Sequence, residues 1–190
     1  MRIIGGRARG LHLAPVGDGD DVARLRPTSD RVREAIFNLL INGKVAQSGD
    51  PVTGARVLDL FAGTGALGLE ALSRGAAFAC FVDDGKAARS LIKRNIALMR
   101  AETEAAILPV NATALIPNRE AGFDLVFLDP PYGKGLGEAA LASCMAGNWF
   151  APGAILVWEE SKPPVVPPGL AQIDQRKYGD TVVTLLRVSQ

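Results

Sequence analysis

The tetrapeptide Asp129-Pro130-Pro131-Tyr132 is the stretch of this chain whose residue types are best suited to chemistry. It follows a strand-like run from Phe123 to Leu128, so the carboxylate of Asp129 is expected in the crevice where open α/β sheets bind ligands. Proline has no amide hydrogen, which leaves the neighbouring carbonyls available to a ligand. Asp129 and one such carbonyl can each accept a hydrogen from a planar amino group, while the ring of Tyr132 can stack on a base. The tetrapeptide therefore indicates chemistry on the amino group of a base.

A glycine-rich turn upstream indicates a nucleotide-like ligand. An apolar run that ends at Phe61 leads into Gly63, Gly65 and Gly68, which fit the pattern G-x-G-x-x-G before a helix. Glycine lets the backbone approach a ligand, and the helix N-terminus presents free N–H groups to it. A side chain introduced at Gly65 is expected to enter the ligand's space. Asp83 ends the next apolar run about 20 residues after Gly63, a spacing suited to ribose hydroxyls.

The glycine turn alone fits a nicotinamide dinucleotide as well as S-adenosylmethionine, and two prolines alone fit a rigid turn. Two details favour S-adenosylmethionine. Asp59 places an anion just before the turn, which suits the ammonium of a methionine moiety and repels a pyrophosphate. The tetrapeptide at Asp129 then follows two apolar runs later.

Length and composition predict a single enzyme domain. The chain has 190 residues, of which 48% are hydrophobic, enough for one core. The sequence has no apolar run of about 18 residues and its first residues lack the core of a signal peptide, so we expect a cytoplasmic protein without a membrane partner. Cys80 and Cys144 are expected as buried small hydrophobes. With one histidine, His12, and no Cys/His cluster, no metal site is expected.

The charge is unevenly distributed, although the net charge is only +1. Residues 1–10, the basic arm, contain arginines and no acid. The planar guanidinium of arginine binds phosphate through two hydrogen bonds, so the arm is expected to contact nucleic acid, as is the segment around Arg24 and Arg26. Because Gly5, Gly6 and Gly10 restrict the backbone little, the arm is expected to be flexible when free. His12 is expected at the surface or on RNA.

The residues between these motifs predict alternating strands and helices, which implies a parallel sheet covered on both faces. Pro27-Thr28-Ser29-Asp30 predicts a helix N-terminus, followed by one buried face and one face bearing arginines. Tyr178-Gly179-Asp180 predicts a hairpin that adds one antiparallel strand. The predicted strands are 56–61, 78–83, 105–110, 123–129, 154–160, 170–177 and 181–188, and the later helices are 66–74, 86–100 and 136–146.

Four segments together resemble the RsmD family, bacterial methyltransferases of guanine N2 in 16S ribosomal RNA. They are Arg2 to Gly6, Arg26 to Phe37, Leu58 to Gly65, and Asp129 to Tyr132. The resemblance implies an α/β, Rossmann-like methyltransferase fold with a mostly parallel seven-stranded sheet, a C-terminal antiparallel hairpin and a short basic N-terminal extension. It also implies S-adenosylmethionine as donor and 16S RNA, in the small subunit or its assembly intermediate, as acceptor.

The domain organisation expected from this reading is one methyltransferase domain, 1–190, acting as a monomer. Residues 1–45 form the basic arm and helix, and residues 55–190 form the catalytic core. The expected catalytic residues are Asp129, Pro130, Pro131 and Tyr132; the donor-binding residues are Asp59, Phe61, Gly63, Gly65, Asp83 and Asn111; the RNA-binding residues are Arg7, Arg9, Arg24, Arg26 and Lys134. Asn111 departs from the family pattern, where an acid is expected at the adenine amino group, but its side-chain carbonyl also accepts hydrogen bonds.

Three other functions share part of this pattern. An amino-methyltransferase of DNA or of another RNA would carry both motifs, although 190 residues leave little room for a separate DNA-recognition domain. A nicotinamide oxidoreductase would share the glycine turn. A noncatalytic RNA-binding assembly factor would keep the basic arm without needing the tetrapeptide at Asp129.

Overall fold

The computed structural model describes residues 1–16 and 29–189, which form one seven-stranded sheet with helices on both faces. The strand order is β3-β2-β1-β4-β5-β7-β6. The strands are β1 Arg56–Leu60, β2 Phe78–Val82, β3 Ala105–Leu108, β4 Phe123–Leu128, β5 Phe150–Glu160, β6 Leu170–Tyr178 and β7 Thr181–Val188. The helices are α1 Asp30–Asn42, α2 Ala66–Ser73, α3 Lys86–Met99 and α4 Leu136–Ala146, with a 3-10 turn at Val45–Ser48.

The sheet is parallel except for β7, which runs antiparallel to both of its neighbours, β5 and β6. This confirms the predicted α/β fold with a C-terminal antiparallel hairpin. The carboxyl ends of β1 to β6 and the start of β7 consequently lie at one edge of the sheet. That edge brings Asp59, Asp83 and Asp129 into the same region, although they are far apart in the sequence.

Two apolar cores cover the two faces of the sheet. One core joins α1, α2 and α3 to the sheet through residues such as Phe37, Leu72 and Ile92, all of which are 0–1% exposed. The other packs α4 against Leu128 and Trp158. Cys80 and Cys144 are buried in this second core as free thiols, as predicted. Among the described residues, no helix is both long and apolar enough to span a membrane.

Several predicted boundaries shift for local reasons. β1 ends at Leu60 because Phe61 adopts a positive φ of 57°, which a strand cannot accommodate. β3 ends at Leu108, before Pro109, which has no amide hydrogen to donate. β5 begins at Phe150 instead of residue 154, because an irregular register opposite β4 absorbs the turn-like Pro152-Gly153.

Helix α1 begins where the sequence predicts, with Ser29 as its N-cap, but one of its faces differs from the prediction. The side chain of Ser29 accepts a hydrogen bond from the amide of Val32. Arg33 was expected on the exposed face and is fully buried. It lies 3.5 Å from the carboxylate of Glu70 on α2, which is also fully buried, and 2.8 Å from Asp30. An acid inside the core compensates the buried guanidinium, so the apolar periodicity alone could not place it.

The prediction that the basic arm is flexible when free was wrong. Residues 1–13 form an N-terminal hairpin in which the amide of Ile3 donates to the carbonyl of Leu11 and Arg2 pairs with His12. Ile3 and Leu13 are 0% and 5% exposed and anchor the hairpin in the larger core. The amides of Ile4 and Gly5 donate to the carboxylate of Glu70, at 2.9 and 2.8 Å.

The glycines of the arm serve close packing. Gly6 has a φ of +75°, and a Cβ added there would lie 1.8 Å from the carbonyl oxygen of Ser73 on α2. The amide of Arg7 donates to that same oxygen. A glycine is therefore needed because two backbones touch, and the Gly-Gly pair is a docking feature of this arm.

Candidate active site

Three carboxylates lie at or near the ends of three adjacent parallel strands, and two of them act on the third. Asp59 lies in β1, Asp83 follows β2 and Asp129 follows β4. Burial raises the pKa of Asp59 well above its usual range, and the negative charges of Asp129 and Asp83 raise it further. Asp129 and Asp83 therefore lie close enough to act on Asp59, and this group of acids favours a cationic ligand and disfavours a pyrophosphate.

Asp59 and Asp83 both hold the glycine turn through backbone amides. Asp59, only 2% exposed, accepts from the amide of Gly68 at 2.9 Å. Asp83 accepts from the amides of Gly63 at 2.9 Å and Gly85 at 2.8 Å, so it links the loop after β1 to the loop after β2. Both acids therefore stabilise the conformation of the turn through these hydrogen bonds.

The turn itself has an unusual backbone. Phe61, Gly63 and Gly65 have φ angles of 57°, 55° and 75°. For a bulky residue such as Phe61, this left-handed conformation is rare and costs about 1–3 kcal/mol. Strain of this kind is typical of ligand-binding loops, and it holds Phe61 half-buried at the end of β1, beside the predicted donor site.

Gly65 serves a different purpose from the one expected. A Cβ built there would contact Ile92, Phe81 and Leu69 at 3.3–3.5 Å, so the missing side chain points into the apolar core instead of the ligand's space. At Gly68 a Cβ would lie 2.5 Å from the ring of Phe81. These two glycines let α2 pack closely on the sheet, and a substitution at Gly65 would be strained by its positive φ and would press on that packing.

The tetrapeptide from Asp129 to Tyr132 and the glycine after it are held by contacts from β5 and β7. Asp129 and Tyr132 are half-buried, Pro130 is buried and Pro131 is exposed. The hydroxyl of Tyr132 lies 3.4 Å from that of Thr181, and the amide of Gly133 donates to Glu160 at 3.1 Å. Burial, followed by the charge of Asp129, raises the pKa of Tyr132 to about 12, so its ring stays an uncharged phenol at neutral pH. A neutral half-exposed ring beside a carboxylate suits stacking on a base.

Asn111 is exposed after β3, and its side-chain carbonyl already has partners. The oxygen accepts from the amide of Thr113 at 2.9 Å and from its hydroxyl at 2.8 Å. The two lone pairs of the carbonyl are thereby occupied, which leaves the amide N–H₂ as the group for a further ligand. This geometry favours donation to a ring nitrogen over acceptance from an amino group.

The predicted RNA-binding residues differ in their surroundings. Arg7 forms an ion pair with Glu104, while Arg9 and Lys134 are exposed, Lys134 two residues after Tyr132. Arg24 and Arg26 lie outside the described residues. The site residues at Asp129, Asp83 and Asp59 are brought to one edge of the sheet, whereas Arg7 and Arg9 belong to the hairpin on α2.

Asn95 connects the N-terminal hairpin to the glycine turn and was not identified from the sequence. It is fully buried in α3, accepts from the amide of Ala14 at 2.8 Å and donates to the carbonyl of Thr64 at 2.9 Å. The available signal was a polar residue on the apolar face that carries Leu91, Ile92, Ile96 and Met99. Such a residue must have buried hydrogen-bond partners.

Comparisons with known proteins agree with the geometry. The family model described as conserved hypothetical protein 95 matches residues 1–187. Ribosomal RNA small subunit methyltransferase D of Escherichia coli (strain K12) is 38% identical over 170 residues, covering 88% of this chain and 79% of that protein. The protein of the same name from Haemophilus influenzae is 35% identical over 185 residues, covering 94% and 89%.

The solved structures lead to the same family. A methyltransferase structure from Escherichia coli has a TM-score of 0.82 at 34% identity and covers 100% of this chain and 98% of that chain. A methylase structure from Haemophilus influenzae has a TM-score of 0.77 at 29% identity, with the same coverage. With the family model spanning nearly the whole sequence, these similarities show that the chain belongs to the RsmD family and is a methyltransferase.

Proposed function

We propose that this enzyme transfers a methyl group from S-adenosylmethionine to the exocyclic N2 amine of one guanine in the 16S RNA of the small ribosomal subunit or its assembly intermediate. The observation that carries the proposal is the placement of Asp129-Pro130-Pro131-Tyr132 beside the glycine turn, at one edge of the sheet. The names of the Escherichia coli and Haemophilus influenzae relatives support ribosomal RNA of the small subunit as the acceptor.

The residues at the crevice fit the donor. Asp83 and Asn111 follow neighbouring strands, where they can bind ribose hydroxyls and the adenine ring. The left-handed backbone at Phe61, Gly63 and Gly65 turns the loop at the end of β1 beside them. A negative charge on Asp59 is costly in the absence of a cation, since burial and the charges of Asp129 and Asp83 raise the pKa of Asp59. A positively charged ligand offsets that cost. S-adenosylmethionine supplies a sulfonium cation and an electrophilic methyl group.

The chain's own residues supply orientation. The lone pair of an aryl amine is delocalised into its ring, so the nitrogen is a weak nucleophile unless it is held in place. In the proposed arrangement Asp129 and the carbonyl of Pro130 accept the two amine hydrogens, and the ring of Tyr132 stacks on the guanine. Positioning of this kind can contribute roughly 7–11 kcal/mol to lowering the barrier. The carboxylate of Asp129 can also accept the proton that leaves the nitrogen.

The acceptor base must leave its stack to reach this site. An exocyclic amine is inaccessible inside stacked RNA, so the guanine is splayed out into the crevice. We assign phosphate contacts along its strand to Arg7, Arg9, Arg24, Arg26 and Lys134. Arg7 would have to exchange its contact with Glu104 for a phosphate or share it. We further propose that residues 1–190 act as a single domain and as a monomer.

The proposal is tested by incubating the enzyme with labelled S-adenosylmethionine and small subunits that lack the modification, then mapping the labelled base. We expect one guanine to be labelled at N2. Naked 16S RNA, a different RNA and duplex DNA serve as parallel acceptors. Labelling of DNA or of an adenine, or no labelling of any acceptor, would contradict the proposed substrate.

Donor affinity should depend on Asp83 and not on its neighbour. Asp83→Ala removes the proposed ribose acceptor and the partner of two backbone amides in the donor loops. It is expected to weaken S-adenosylmethionine binding by about 1–3 kcal/mol, the usual cost of leaving such groups unpaired. Titration calorimetry measures this directly. Asp84→Ala is the matched control, because Asp84 is an exposed acid one position away; equal affinities of the two variants would remove Asp83 from the donor site.

A further inference from the structure

A groove of about 430 Å³ lies beside the catalytic tetrapeptide, between the connection that follows β5 and the hairpin formed by β6 and β7. Ser161, Lys162 and Pro163 line one side, and Arg176, Lys177 and Val182 line the other. Arg7, Arg9 and Lys134 are not among its lining residues. The groove is therefore a surface separate from the N-terminal hairpin.

The groove is basic. Among the described residues that line it, three side chains are cationic and none is acidic. Lys162 and Lys177 are exposed, and neither forms an ion pair with any of residues 1–16 or 29–189. Arg176 pairs with Asp174 at 3.1 Å but keeps its side chain 53% exposed. Within the described part of the chain, the groove thus offers two ammonium groups without an ion-pair partner beside one guanidinium that is paired with Asp174.

The acidic residue nearest to Lys162 in the sequence, Glu160, already accepts hydrogen bonds from other groups. Glu160 precedes Ser161, and its Oε1 accepts from the amide and the hydroxyl of Ser161 and from the amide of Gly133. Its Oε1 is therefore directed to backbone and hydroxyl donors, and among the described residues Glu160 forms no ion pair with Lys162. The positive charge of the groove remains available to an anion.

The groove is joined directly to the catalytic loop. Ser161 is one residue from Glu160, which holds Gly133, and Val182 is one residue from Thr181, which contacts Tyr132. Val182 and Lys177 are also register partners across the hairpin. Each side of the groove therefore begins next to a residue that holds the catalytic loop: Ser161 follows Glu160, and Val182 follows Thr181.

We propose that this groove binds the phosphate backbone of the RNA strand on one side of the target guanine. The inference rests on the proposed function, because a base stacked on Tyr132 stays covalently joined to its strand. That strand must leave the crevice over adjacent surface, and the groove is an adjacent surface on which Lys162 and Lys177 have no ion-pair partner among the described residues. Lys162 and Lys177 contact phosphates as point charges, so the groove positions the strand without reading its sequence.

The test compares a groove variant, Lys162→Ala with Lys177→Ala, with the wild type in binding to unmodified small subunits across a salt series. Each lost phosphate contact should reduce the salt slope by about one unit. The variant lacks two contacts, so its affinity depends less on salt than that of the wild type. As salt rises from about 0.05 M to about 0.2 M, the ratio of wild-type to variant affinity should therefore fall about tenfold. Affinity for S-adenosylmethionine should be unchanged and reports that the variant is folded.

Matched variants separate this role from general charge. Lys93→Ala with Arg94→Ala removes two exposed charges from α3, which packs beside β3 at the far end of the sheet, and should leave the salt slope at the wild-type value. Lys162→Arg with Lys177→Arg keeps the charge and should restore the wild-type slope. A groove variant whose curve superimposes on that of the wild type, or a groove that prefers duplex DNA to the RNA particle, would overturn the proposal.

The outcomes also distinguish this inference from the proposed function. If the wild type methylates the RNA and the groove variant binds it normally, the groove inference fails and the function stands. If the wild type transfers no methyl group to the RNA but the groove variant loses salt-dependent RNA binding, the function fails and the groove stands as an RNA-binding surface.

Discussion

Replacing Asp129 with alanine is expected to lower the single-turnover rate of methyl transfer by about 100-fold, the scale of loss when a reacting group is misplaced. Affinity for S-adenosylmethionine and for the RNA particle should change little, because the contact to the amine is used mainly in the transition state. Asp129 follows β4 at the edge where Asp59 and Asp83 also lie, so it is positioned by the sheet. Rapid-quench measurement of methyl incorporation, together with separate binding titrations, checks both statements.

Two further variants sharpen this test. Asp129→Asn should be nearly as slow, because its amide places N–H donors where the amine needs acceptors. Asp180→Ala removes an exposed carboxylate from the hairpin turn at the same edge and should leave the rate unchanged. An Asp129→Ala enzyme that turns over at the wild-type rate would show that the carboxylate does not orient the amine.

Replacing Glu70 with alanine is expected to lower the free energy of unfolding by about 3–5 kcal/mol, the usual cost of breaking a buried ion pair from one side. The carboxylate is 0% exposed, lies 3.5 Å from the buried guanidinium of Arg33 and accepts a hydrogen bond from Arg74 at 2.8 Å. It also accepts from the amides of Ile4 and Gly5. Alanine leaves these donors without that partner, and water cannot easily replace it.

Denaturant unfolding measures this loss, and hydrogen exchange at Ile4 and Gly5 reports whether the N-terminal hairpin detaches. Glu70→Gln keeps an accepting oxygen and should fall between the wild type and Glu70→Ala. Glu104→Ala is the surface control, because it breaks the ion pair between Glu104 and Arg7. The side chain of Arg7 is 51% exposed and that of Glu104 is 31% exposed, and such surface pairs contribute about 0–1 kcal/mol to stability. Equal losses for Glu70→Ala and Glu104→Ala would contradict a special role for the buried network.

The order of strands and helices could be predicted because each element is encoded locally. Apolar runs of strand length alternate with helical periodicity from Arg56 onwards, and Ser29 and Tyr178-Gly179-Asp180 supply the helix start and the hairpin turn. The boundaries at Leu60 and Phe150 could not be predicted in the same way. A positive φ at Phe61 and an irregular register at Pro152-Gly153 depend on neighbouring strands.

The part of the candidate site that lies at the strand ends could be predicted from the sequence, because the end of a strand determines where the residues beside it lie. Asp59, Asp83 and Asp129 belong to apolar runs that become neighbouring parallel strands, so their meeting at one edge follows from the fold. Their mutual effect on the pKa of Asp59 required the structure, since it depends on burial and distance. The direction of the missing Gly65 side chain, toward Phe81 and Ile92, also required it.

By itself the sequence determined the fold class, the edge that carries the site and the residue types available for amine chemistry, because strand periodicity and motif spacing are local properties. Only the tertiary structure decided which charges are neutralised. Arg33 is paired inside the core with Glu70 and Arg7 is paired with Glu104, whereas Lys162 and Lys177 form no ion pair with any described residue. The physical reason is that the energy of a charge depends on its distance to other charges and on its burial, and residues distant in the chain set both quantities.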